Sequence, residues 1–207
     1  VEQIFLRVRS TSAIPASLQV GRFASPFGAY TARHHTDADP LIRPPLPYDQ
    51  RTLASPTIIP GGLDGFLEWK ETAAQRRGNG APVIWNVPYP WGALATVGAG
   101  SFGARFAVLA SAPSGAPETW QLTRTRIRRP TLTGGVAWRV VPELTVGAAW
   151  SRGPWLEQPA SGTLPEGARR VDFTQQTFAA DVAYERGRTA VRAELFHNRW
   201  EIPNLGE

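Results

Sequence analysis

The second half of the chain alternates apolar and polar positions with period two, which is the pattern of strands with two unlike faces. In TLTGGVAWRVVPELTVGAAWSRG, Leu132, Val136, Trp138 and Val140 share one face, and Thr133, Gly135, Ala137 and Arg139 share the other. Pro142-Glu143 turns the chain. Alternation then resumes with Leu144, Val146, Ala148 and Trp150 against Thr145, Gly147, Ala149 and Ser151. A second hairpin sets Phe178, Ala180, Val182 and Tyr184 against Thr177, Ala179, Asp181 and Glu185. It turns at 185–188 and returns with Val191, Ala193 and Leu195 opposite Arg192 and Glu194.

The first half carries weaker copies. QIFLRVRS alternates Ile4, Leu6 and Val8 with Gln3, Arg7 and Arg9, Phe5 interrupting the polar side, and SLQVGRF sets Leu18 and Val20 against Gln19 and Gly21. LATVGAGSFGARFAVLASA reads as two strands, with Gly98, Gly100 and Gly103 at the turn and Phe106, Val108 and Ala110 opposite Arg105. That makes about eight strands, each close to the roughly 9–11 residues of a tilted membrane strand. Short connections near 10–15, 100–103, 142–143 and 185–188 alternate with long ones at 25–91, 113–130 and 153–171. Aromatics fall towards strand ends, Trp138 and Tyr184 by short turns and Trp150 and Trp200 by long loops, as two interfacial girdles would require.

The expected fold is therefore all-β, an antiparallel up-and-down transmembrane β-barrel with short periplasmic turns and long external loops. Residues 1–207 form a single barrel segment, and 25–91 is a long external loop. Within that loop Asp64 caps a helix carrying Phe66, Leu67 and Lys70 at helical spacing, ending at Gly78-Asn79-Gly80 and placed over 64–77. The rest of 25–61 reads as Pro-rich coil.

Composition trims the alternatives. The net charge of +5 is spread thinly, which disfavours nucleic acid as a partner. The 207 residues include no Cys, so neither a disulfide framework nor a thiolate metal site is possible. No apolar run reaches the roughly 18 residues of a membrane helix. His34, His35, Asp37 and Asp39 could ligate a divalent ion but read as a solvated loop, so no metal or cofactor is expected. Asp181, Glu185 and Glu194, with Arg192 nearby, read as an ion-pair network rather than a catalytic pair. No Ser-His-Asp arrangement is recognisable, and the chain is not expected to be an enzyme. TRTRIRR, residues 123–129, places Arg124, Arg126 and Arg128 on one side of an extended segment, where they could meet anions or lipopolysaccharide phosphates.

The stretch LQVGRFASPFGAY resembles porin-type bacterial outer-membrane proteins, phosphate-selective and related porins coming closest, through Val20, Gly21, Arg22, Phe23, Pro26, Phe27 and Gly28. The resemblance implies a passive channel for small solutes, often a homotrimer, with a long loop narrowing the pore. It places the protein in the outer membrane of a Gram-negative cell, in contact with outer-membrane lipid and lipopolysaccharide. The alternative is a barrel that anchors or scaffolds a partner protein. Short turns in the periplasm would leave both ends of the eight strands outside the cell, so these strands are expected to belong to a larger barrel. The pore lining is then Arg7, Arg9, Arg105, Arg139 and Arg192 with Asp181, Glu185 and Glu194. That positive excess favours anions.

Overall fold

The computed structural model describes residues 3–11, 13–31, 45–52, 54–60, 64–65, 67–68, 80–85, 89–115 and 129–203. Eight strands form one antiparallel sheet in chain order: β1 (Ile4–Arg9), β2 (Ala16–Arg22), β3 (Trp91–Ala99), β4 (Phe102–Leu109), β5 (Thr131–Val141), β6 (Leu144–Pro154), β7 (Thr174–Arg186) and β8 (Thr189–Trp200). Each strand pairs with its sequence neighbours, and no pairing joins β1 to β8 among the described residues. This up-and-down order puts every tight turn at one rim and every long connection at the other. Residues 142–143 and 187–188 are two-residue turns, and Gly100-Ser101 is a third. Gly98 and Gly103, expected at that last turn, are instead strand residues paired with each other; Gly100 alone takes the left-handed backbone the turn needs, φ 57°.

The register confirms the alternation residue by residue. Thr133, Ser151, Thr177 and Asn198 stand side by side on one face, and Trp138, Val146 and Val182 on the other. A bulge between Arg139 and Val141 breaks the strict continuation through Val140. The apolar face is bare: Leu6 is 72% exposed and Leu195 75%, and no second sheet covers it among the described residues.

Burial lies on the opposite, polar face, under the long connections. Phe27, Tyr30, Tyr48 and Ile84 of the β2–β3 connection pack onto Ala149, Ala179 and Phe196 of the sheet. A second cluster gathers Ile59 and Ala81 with Ala112 of the β4–β5 connection and Trp155, Leu156 and Ala160 of the β6–β7 connection. Backbone hydrogen bonds stitch the same segments: Trp85 donates to Pro113 and Glu157 to Pro56, both at 2.8 Å. Trp200, expected in an outer aromatic girdle, falls on the polar side in register with Gln175 and packs into this cluster.

Within the first long connection, α1 (Leu46–Asp49) is a single helical turn in a stretch expected to be coil. Pro45 before it has φ −55° and ψ 149°, the extended geometry that lets a helix begin just after it. Asp64, Gly65, Leu67 and Glu68 are helical, and the rest of the expected 64–77 helix lies outside the described residues.

Candidate functional site

The eight charged residues assigned to the polar face all reach it. Arg7 pairs with Gln19 and Arg9 with Ser17 in the β1–β2 register; Arg105 lies opposite Gly135, Arg139 opposite Thr145, Asp181 opposite Glu194, Ala183 opposite Arg192, and Glu185 opposite Ala190. Two sets of contacts stand out among them. Arg192 pairs with Glu185 near the short-turn rim, and Arg7 donates through Nε to Gln19 Oε1 at 2.9 Å. Arg105, Asp181 and Glu194 belong instead to a second group at mid-sheet, with Tyr48 of the loop in electrostatic range of Arg105.

Small residues on the intervening strands make this second group possible. A Cβ on Gly135 would stand 2.8 Å from Arg105 Nε, so the bare backbone of β5 is the surface along which that long side chain lies. Gly147 on β6 likewise leaves room for the Asp181 carboxylate. From opposite sides, Arg105 on β4 and Glu194 on β8 grip the same turn of loop. Arg105 donates to the Gly28 carbonyl at 3.1 Å, while Glu194 accepts from the Ala29 amide at 2.6 Å and from the Tyr48 hydroxyl at 3.1 Å. In a flat sheet strands four apart lie roughly 19 Å from each other, so the loop corner is what bridges these two side chains.

Gly28 is the pivot of that grip. Its φ is +75°, a conformation disfavoured for residues with a Cβ, and a Cβ there would stand 2.5 Å from the Tyr48 hydroxyl and 2.8 Å from Glu194 Oε1. Tyr48 is 2% exposed, and its ring meets Phe196 edge-on at 5.4 Å and Tyr30 at 4.7 Å. Burial, reinforced by the adjacent Glu194 carboxylate, pushes the Tyr48 phenol far above its ordinary range, so it stays a hydrogen-bond donor.

Nearer the long-loop rim, a polar layer fastens the other connections. Thr133 and Ser151 hydroxyls share a 2.9 Å hydrogen bond, and Thr177 donates to Asn198. Gln175, fully buried, accepts from the Ser114 amide at 3.1 Å and donates to the Val83 carbonyl at 3.0 Å and to Asn198 at 2.9 Å. One side chain thus ties two connections to the sheet. At the surface Arg129 reaches Asp172 at 3.6 Å, and Arg169 holds the same carboxyl below its usual range through hydrogen bonds.

Comparison of the chain with known protein families, curated proteins and solved structures finds no match. Function is therefore read from the geometry.

Sequence reasoning missed Tyr48, Gln175 and Phe196 as site residues. The Pro26-Phe27-Gly28 corner was a visible signal, but nothing nearby in sequence announces that its partner is Tyr48 or that both meet Glu194. His34, His35, Asp37, Asp39, Arg124, Arg126 and Arg128 lie outside the described residues.

Proposed function

We propose that these eight strands are wall segments of a transmembrane β-barrel in a bacterial outer membrane, and that the polar face lines a passive channel for small solutes. The observation that carries the reading is where charge sits. On the apolar face of the strands the exposed charged residues are Arg152, Arg186 and Arg199, each within two residues of a strand end, while Arg22 at the end of β2 is buried and donates to the Tyr89 carbonyl. Between those ends the face presents Leu, Val, Ala, Gly, Trp, Phe and Tyr with one His. That is the sequence of environments a strand meets on crossing headgroups, hydrocarbon and headgroups again. A soluble protein does not leave so extensive an apolar surface uncovered. Exposed edges on β1 and β8 accept further strands to complete the barrel.

On the water side, the loop corner at 27–30 and Tyr48 narrow the passage at mid-sheet. The remaining lining carries five arginines against three carboxylates, which raises the local concentration of anions. Planar-bilayer recording of the full-length protein tests the proposal. Discrete conductance steps are expected, with a reversal potential under a salt gradient that favours anions, more so at low salt. Insertion without conductance, or cation preference unmoved by Arg139→Gln and Arg192→Gln, would overturn it.

A further inference from the structure

Two of the rim arginines do not stand alone. In the β6–β7–β8 register Arg152, Gln176 and Arg199 sit side by side on the apolar face, one step beyond the row of Trp150, Phe178 and His197. With Thr174 and Glu201 they line a hollow of about 200 Å³ that opens on that face at the long-loop rim. Glu201 is committed to the protein: its Oε2 accepts from the Thr174 amide at 3.1 Å and hydroxyl at 2.7 Å. Its Oε1 lies 3.5 Å from Arg152, whose Nε also reaches the Thr174 hydroxyl at 3.4 Å. One carboxylate against two guanidiniums leaves the hollow with a net positive charge.

We propose that this hollow binds the phosphoryl headgroup of a membrane lipid whose acyl chains run down the apolar face. The inference rests on the membrane reading, which sets this face against lipid and this row at headgroup depth. Guanidinium forks match phosphate oxygens in pairs, and the Gln176 amide adds a neutral donor between them. Arg152 and Arg199, rising from strands on either side of β7, converge on one anion rather than on separate ones. The aromatic row beneath supports the first carbons of the chains. The source is a lipid rather than dissolved phosphate, because the hollow opens where the strands leave the apolar band.

The test uses the full-length protein reconstituted in vesicles and then extracted for native mass spectrometry, with dioleoyl phosphatidic acid, dioleoyl phosphatidylcholine and inorganic phosphate as probes. Phosphatidic acid should be retained over phosphatidylcholine, and the double variant Arg152→Gln/Arg199→Gln should lose roughly tenfold in that ratio, the worth of one charge-assisted hydrogen bond. Glu201→Gln should raise it, a gain that misfolding cannot imitate. Arg186→Gln, at the opposite rim, should leave it unchanged. An unchanged ratio in the double variant, or displacement of the lipid by millimolar inorganic phosphate, would overturn the proposal. Flotation with vesicles separates the two claims. If the protein floats but shows no preference, only the lipid site is wrong; if it does not float, the membrane reading falls with it.

Discussion

The Tyr48 hydroxyl, 146 residues from Glu194 in sequence, donates to its carboxylate at 3.1 Å, and this contact pins the first long connection to the polar face of the sheet. The same carboxylate receives the Ala29 amide at 2.6 Å. Glu194→Ala removes the acceptor of the buried Tyr48 hydroxyl and of the half-buried Ala29 amide, which should loosen the loop by about 2–4 kcal/mol. On the channel reading proposed above, single-channel conductance should rise and become noisier, while the sheet still folds. Unchanged conductance would show that this loop does not limit the passage.

Tyr48 also makes an alkaline prediction. Its phenol is raised by burial and by Glu194, so the neutral form is the one the folded protein favours. A raised value gives a stabilisation that is complete below the ordinary phenol range, near pH 10, and is lost as pH climbs beyond it. Ultraviolet titration should show the same number of phenols ionising up to about pH 11 in the native protein and in Tyr48→Phe. A difference of one phenol would place Tyr48 in contact with water.

Strand number, the rims and the two faces were legible from the sequence because side-chain period two leaves a direct imprint wherever one face is polar and the other apolar. Thr145, Val146, Asp181 and Val182 all fall where the alternation puts them. Trp200 misled because nearness to a strand end says nothing about which side a side chain takes; its parity with Asn198 and Phe196 decides that. The grip on the loop was not legible. Gly135 and Gly147 look like ordinary small residues until Arg105 and Asp181 are found lying over them. The partners Gly28, Tyr48, Arg105 and Glu194 come from distant parts of the chain and meet only in the fold.

Gly28→Ala is a narrower probe of the same grip. The new methyl meets both the Tyr48 hydroxyl and Glu194 and holds an unfavourable backbone region, at a cost of about 1–2 kcal/mol before any displacement. The loop should shift rather than the strands, so protease cleavage within 25–91 should speed up while the melting of the sheet stays put. Parallel loss of both would mean the corner is part of the sheet's own stability.

Gln175 gives a stability prediction independent of any channel. Gln175→Ala strands the Ser114 amide and the Val83 carbonyl and removes a donor to Asn198. A loss of about 2–4 kcal/mol in folding free energy is expected from denaturant titration, since each buried unmatched group costs roughly 1–3 kcal/mol. A loss under about 0.5 kcal/mol would show that water replaces the side chain freely.

Adjacent residues on β6 should respond in opposite ways to the same change. Val146→Arg puts a charge on the apolar face at mid-strand and should cost roughly 2–4 kcal/mol of folding into vesicles. Thr145→Arg, one residue away on the polar face, should fold normally and strengthen anion preference. Equal costs would remove the distinction between the faces.

The most direct test of the central claim, that one face of this sheet meets water and the other meets lipid, is a cysteine-labelling ladder, for which the absence of native cysteine gives a clean background. Single cysteines at Thr145, Ala183 and Ala190 on the polar face should react in membranes with a charged, membrane-impermeant thiol reagent. Those at Val146, Val182 and Val191 on the apolar face should resist it and be quenched, once tagged with a fluorophore, by brominated lipid. Uniform reactivity along the strands, or the reverse alternation, would contradict the account.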